Sequence, residues 1–178
     1  TCGLLTAITD YKIALIDRLT DYYPLDLVNL HDDWGHNSST FLSPDTWRSM
    51  IKPHIKRIVD FVHEKGLYFD IHSCGYIEPL LPDMVEIGID GWSSVQCINH
   101  VRDIICKYGD KICLTGGMDN QEVRQAGLTA EEVHDLTGRR MNDLCRGGAL
   151  FPFCNTNANI PYLLDAINTC LEERAEFF

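Results

Sequence analysis

His72 and Cys74, in the run His72-Ser73-Cys74, and Cys154 far downstream carry donor atoms suited to a soft metal. An imidazole nitrogen and two thiolates are donors that zinc prefers, and three protein ligands leave a fourth position for water or substrate, as catalytic sites do. Structural zinc sites usually bring their ligands as closely spaced pairs and close the sphere with a fourth side chain. The wide gap between Cys74 and Cys154 fits a catalytic centre better. The competing reading of any such cysteine is a small buried core residue, and it suits Cys106, Cys113, Cys145 and Cys170, which fall in helix and strand patterns. A second group, His31-Asp32-Asp33 with His36, offers the imidazole and carboxylate donors of hydrolase metal clusters, and reads equally as a polar surface loop. Trp34 beside it is either a packing residue or a face for stacking on a flat cofactor.

The elements that must position these groups alternate along the chain. Apolar residues at helical spacing run from Leu4 to Tyr23, and Pro24 precedes a short strand over Leu25 to Leu30. Ser43-Pro44-Asp45 opens a helix that runs to Lys65 and is kinked or divided at Pro53. A strand over Leu67 to Ile71 delivers His72 and Cys74. Helix Glu78 to Ile87, strand Asp90 to Val95, a helix capped by Asn99 and a strand over Lys111 to Thr115 follow. Thr129-Ala130-Glu131-Glu132 fits a capping box for a helix reaching about Arg146, then a strand over Ala149 to Phe153, and Pro161 opens a last helix.

Such alternation predicts an α/β fold with parallel strands and right-handed crossovers. The polar candidates gather just after strands: His31-Asp32-Asp33, His72 and Cys74, Gln96, Asp119 behind the pair Gly116-Gly117, which could bring backbone close to a ligand or anion but reads more simply as a turn, and Cys154-Asn155. Active sites of α/β barrels and open sheets lie at that end. A closed barrel takes eight strands and about 250 residues. Five strands in 178 residues therefore predict part of a barrel, an open sheet, or two copies that lend each other edges.

The composition, 45% hydrophobic and 23% charged, is that of a globular chain able to build a core. The formal net charge of −11 opposes binding to nucleic acid and to anionic membranes. No membrane-spanning run or signal segment stands out, so the cytoplasm is the default compartment and the eight cysteines are expected as reduced thiols.

The DDWG run (Asp32 to Gly35), SPDTWR with the following IKPHIKRIVDFVHEKG, HSCG (His72 to Gly75) and EIGIDGWSSVQ together resemble the uroporphyrinogen decarboxylase superfamily over nearly the whole chain. Within it, HxC with a distant second cysteine is similar to the zinc-dependent corrinoid methyltransferases, such as those that methylate coenzyme M. The resemblance implies that residues 1–178 are one domain, the C-terminal part of a TIM (β/α)8-type barrel lacking the first strands. It implies His72, Cys74 and Cys154 as zinc ligands. It also implies a corrinoid (methylcobalamin) carried by a partner protein and a small thiol as methyl acceptor. At the position where some relatives place an acid this chain has the neutral Gln96. Asp32 and Asp33 are then candidates for catalytic roles, and His31, Trp34, Gln96, Asp119 and Asn155 for binding substrate or cofactor.

Two other readings stand beside this one. A metal-independent decarboxylase of the same superfamily would make His72 and Cys74 incidental and would bring several arginines to the site. A binding or assembly module without activity would bind zinc without turnover and form homo-oligomers through exposed sheet edges.

Overall fold

The computed structural model describes residues 2–117, 129–144, 150–153 and 168. Two compact units divide the chain, Thr1–Ser93 and Ser94–Phe178. The first opens with α1 (Cys2–Tyr22), β1 (Leu27–His31), α2 (Pro44–Met50), α3 (Lys52–Glu64) and β2 (Tyr68–His72). A 3-10 turn (Glu78–Leu80) leads into α4 (Leu81–Glu86) and then β3 (Gly91–Val95), whose last two residues belong to the second unit. The second unit continues with α5 (Val101–Tyr108), β4 (Cys113–Gly117), α6 (Ala130–Leu144) and β5 (Leu150–Phe153).

In the first unit β1 pairs with β2 in parallel, Leu27 opposite Tyr68 through His31 opposite His72, and β2 pairs with β3, Asp70 opposite Gly91 and His72 opposite Ser93. In the second, β4 pairs in parallel with β5, Leu114 opposite Leu150 through Gly117 opposite Phe153. Parallel strands separated by helices give the α/β architecture of a partial TIM barrel. No helix among the described residues is long and apolar enough to cross a membrane.

Period-two alternation sorts the first unit's side chains. Phe69 and Ile71 on β2 and Trp92 on β3 are fully buried, as are Val59 and Val62 of α3 and Leu80 and Met84 near α4. Each fully buried side chain of this kind contributes about 1.5–3 kcal/mol against the entropy of ordering the chain. The intervening residues, Asn29 and His31, Asp70 and His72, and Ser93, occupy the opposite, polar face. α1 packs on α3 and is tied to it by Thr9 with His54 and by Arg57 with Asp10.

Most element boundaries lie within two residues of the expected ones, and the differences have local causes. The long second helix is two helices broken at Ile51, two residues before Pro53, whose missing N–H is tolerated in the first turn of α3. Ser43 caps α2, its hydroxyl accepting from the Thr46 N–H. Asn99 does not cap α5: His100 takes that position, and the Asn99 amide donates to the Gln96 carbonyl at 3.1 Å. Gly116 and Gly117 extend β4 rather than forming a turn after it. The capping box forms, with the Thr129 N–H donating to Glu132 at 2.8 Å and the Glu132 N–H to the Thr129 hydroxyl at 3.3 Å. Of the helix expected from Pro161, residue 168, which is helical, is the one among the described residues.

Candidate metal centre at the ends of β1 and β2

Parallel pairing brings His31 and His72, the last residues of β1 and β2, directly opposite each other. Their ring centroids are 3.9 Å apart and the planes tilt by 48°. Two residues beyond His31, the Asp33 carboxylate accepts the Cys74 N–H at 2.8 Å, which ties the loop after β1 to the loop after β2. Ligand atoms of His31, Asp33 and His72 all lie within 4.8 Å of one another. Cys74 faces the same imidazole, its Sγ 3.6 Å from His72 Nε2.

The loops are held by backbone bonds and by a close approach of two glycines. Asp32 N–H donates to the His72 carbonyl at 3.0 Å and Tyr76 N–H to the His36 carbonyl at 2.9 Å. Gly75 has a φ of +82°, and a Cβ there would lie 2.3 Å from the Gly35 carbonyl carbon; a Cβ on Gly35 would lie 2.7 Å from the Tyr76 oxygen. DDWG and HSCG each supply one half of this contact, so their glycines let the two ligand-bearing loops meet. Ser73, fully buried between His72 and Cys74, accepts the Trp34 N–H on its hydroxyl at 2.9 Å and the Trp92 indole N–H on its carbonyl at 3.0 Å.

Burial and the neighbouring His31 push the His72 pKa down, outweighing Asp33 and Asp70, which favour the imidazolium. His72 is therefore neutral near pH 7, the state in which imidazole ligates a metal. Next to it along the same face, Ser93 donates to Asp70 at 2.8 Å, and the Asn29 amide donates to Asp70 and, at 3.2 Å, to Ser93. Sequence reasoning missed Asn29, Asp70 and Ser93. The available signal was period two: Asn29 precedes His31, and Asp70 precedes His72, by two residues on one strand face.

Other expected site residues are placed as follows. Trp34 is 5% exposed and meets Trp47 edge-on at 5.0 Å, so it is a packing residue and presents no face for stacking; its indole N–H donates to Asp32 at 2.9 Å. Asp32 thus supports the loop, while Asp33 reaches the cluster. His36 bonds Ser39 and lies against Phe41. Gln96 follows β3 in the second unit, where its carbonyl accepts from Asn99. Asp119, Cys154 and Asn155 lie outside the described residues. Cys106 and Cys113 are exposed rather than buried, since each takes the solvent side of its element.

A zinc ion fits the chemistry of His72 and Cys74. Nitrogen and sulfur donors about 2.05 and 2.3 Å from a tetrahedral zinc lie about 3.6 Å apart, the same as the observed Nε2–Sγ separation of 3.6 Å.

The chain is similar in structure to a methyltransferase from Methanosarcina mazei, with 21% sequence identity and a TM-score of 0.59, over 81% of this chain and 42% of that one. It thus spans less than half the length of that protein's chain, and the likeness is one of fold. No curated protein matches the sequence. The sequence pattern of the family described as Uroporphyrinogen decarboxylase (URO-D) matches residues 3–147, which hold DDWG, HSCG and both histidines of the cluster. On that match across most of its length, the chain belongs to the uroporphyrinogen decarboxylase family.

Proposed function

We propose that this chain carries the zinc-binding part of a methyltransferase that moves a methyl group between a corrinoid, held by a partner protein, and a small thiol. The observation that carries the reading is the 3.6 Å separation of His72 Nε2 and Cys74 Sγ, which matches two ligands of one tetrahedral zinc. Cys154 is the third ligand in this proposal. Zinc in such a site would hold the acceptor thiol as a thiolate at neutral pH.

The remaining roles belong to the chain's own groups. Asp33 fixes the Cys74 backbone through its 2.8 Å bond. Low basicity keeps His72 unprotonated and ready to ligate. Ionisation is the smaller part of the gain: a free thiol of pKa about 8.5 is roughly 3% thiolate at pH 7, so full ionisation supplies at most about thirty-fold. Holding sulfur in line with the methyl carbon offers more, about 7–11 kcal/mol in the best cases.

The metal-independent decarboxylase reading calls for arginines near the substrate. Arg48 instead pairs with Asp45 and Asp83, and Arg57 with Asp10, all on or beside helices of the first unit. These two arginines are therefore committed to ion pairs within the first unit.

The test is to incubate the zinc-loaded chain with methylcobalamin and a small thiol and to follow loss of the methyl–cobalt absorption together with the methylated thiol. Turnover that vanishes in Cys74→Ser is expected. Zinc binding without turnover would instead support the assembly-module reading.

A further inference from the structure

The geometry points to a second metal-binding mode that uses no thiolate: we propose that His31, Asp33 and His72 form a two-histidine, one-carboxylate site for a first-row divalent cation such as zinc. Two imidazoles and a carboxylate are a donor set that holds such ions while leaving positions open for water or substrate. The three ligand atoms lie within 4.8 Å of one another. Donors about 2.1 Å from a tetrahedral ion lie about 3.4 Å apart, so from separations of at most 4.8 Å the side chains converge by up to about 1.4 Å, within reach of torsional adjustments.

Three independent features organise this set before any ion arrives. Register places His31 and His72 opposite each other at adjoining strand ends. The Cys74 N–H holds the Asp33 carboxylate over the same end of the sheet. The contact of Gly35 with Gly75 fixes the loop that carries Asp33 against the loop that follows His72. The ordinary alternative is a cluster of polar side chains at a sheet end. Such a cluster needs neither the loop lock nor a carboxylate fixed by backbone beside two facing rings.

Because His72 is common to this set and to the thiolate set, one ion binds at a time, and saturation is one per chain. The site uses neither Cys74 nor Cys154, so it stands or falls separately from the methyl-transfer reading. Loss of methyl transfer with the site intact would sink only the proposed activity.

Cobalt(II) titration of the Cys74→Ser/Cys154→Ser variant tests the proposal, with circular dichroism as the check on folding and with Cys74→Ala/Cys154→Ala in reserve should the serine pair not fold. The expected result is one cobalt per chain with ligand-field bands and no thiolate-to-cobalt charge-transfer band. Adding His31→Ala or Asp33→Asn should weaken binding by at least about 10–100-fold, the loss that follows when only a hydrogen-bond partner of a metal ligand is removed. A folded thiolate-free variant that binds no cobalt, or one whose binding is indifferent to His31→Ala and Asp33→Asn, would overturn it.

Discussion

His31 and His72 are register partners at the ends of adjacent parallel strands, and their rings meet at a centroid distance of 3.9 Å. Each ring therefore belongs to the other's electrostatic environment. His31 disfavours the protonated form of His72, and Asp33 favours it. In the metal-free chain His31→Ala should raise the His72 pKa and Asp33→Asn should lower it, both read from the imidazole resonances across a pH titration by NMR. Shifts of the same sign in both variants would mean that the rings are not held as described.

Ser73 has no role as a ligand, yet it stands between two candidate ligands and accepts the buried Trp34 N–H. Ser73→Ala leaves that donor without its acceptor and should cost about 1–3 kcal/mol in urea unfolding. Tryptophan fluorescence is a suitable probe, because both Trp34 and Trp92 bond to this residue.

Gly75→Ala should do more damage than its size suggests. A side chain at φ +82° is strained, and its Cβ would meet the Gly35 backbone at 2.3 Å. Left-handed strain alone costs about 1–2 kcal/mol, and the loop must also move away from the one that carries Asp33. The expected outcome is a lower urea midpoint together with weaker metal binding. An unchanged midpoint and unchanged affinity would show that the glycine contact does not organise the site.

Asp83 gives the first unit an acid-sensitive element. Burial alone would raise its pKa, but the hydrogen bonds from Lys52 at 2.8 Å and Arg48 at 2.9 Å outweigh it and hold the carboxyl below its ordinary value. Its stabilisation is thus complete above the unfolded value of 3.8 and is lost as pH falls through the lower folded value. Asp83 is 5% exposed, and Asp83→Asn should destabilise the chain by about 2–3 kcal/mol at neutral pH. The same variant should flatten the acid limb of the stability–pH curve.

Much of this arrangement was legible in the residues. Alternation of apolar patterns announced parallel α/β architecture, and DDWG and HSCG marked two strand ends. Strand limits were harder: β1 begins at Leu27 rather than Leu25, because pairing with β2 sets its limits and local alternation does not. Register was also what sequence could not supply. Period two held an unused signal that sets Asn29 beside His31 and Asp70 beside His72, but only the pairing offset brings His31 to His72 and Asn29 to Asp70. Trp34 was ambiguous in sequence, a packing residue or a stacking face beside two acids, and the fold buries it as core against Trp47. Gly116-Gly117 carried the signature of a turn and continues a strand, since a parallel partner in β5 overrides the local preference.

Whether His72 and Cys74 together hold one metal at the end of β2 can be read from zinc-edge X-ray absorption on the zinc-loaded chain and its Cys74→Ser variant. Mixed sulfur and nitrogen neighbours are expected in the unsubstituted chain, with one sulfur lost in the variant. A zinc shell without sulfur in the unsubstituted chain, or one that Cys74→Ser leaves unchanged, would contradict it.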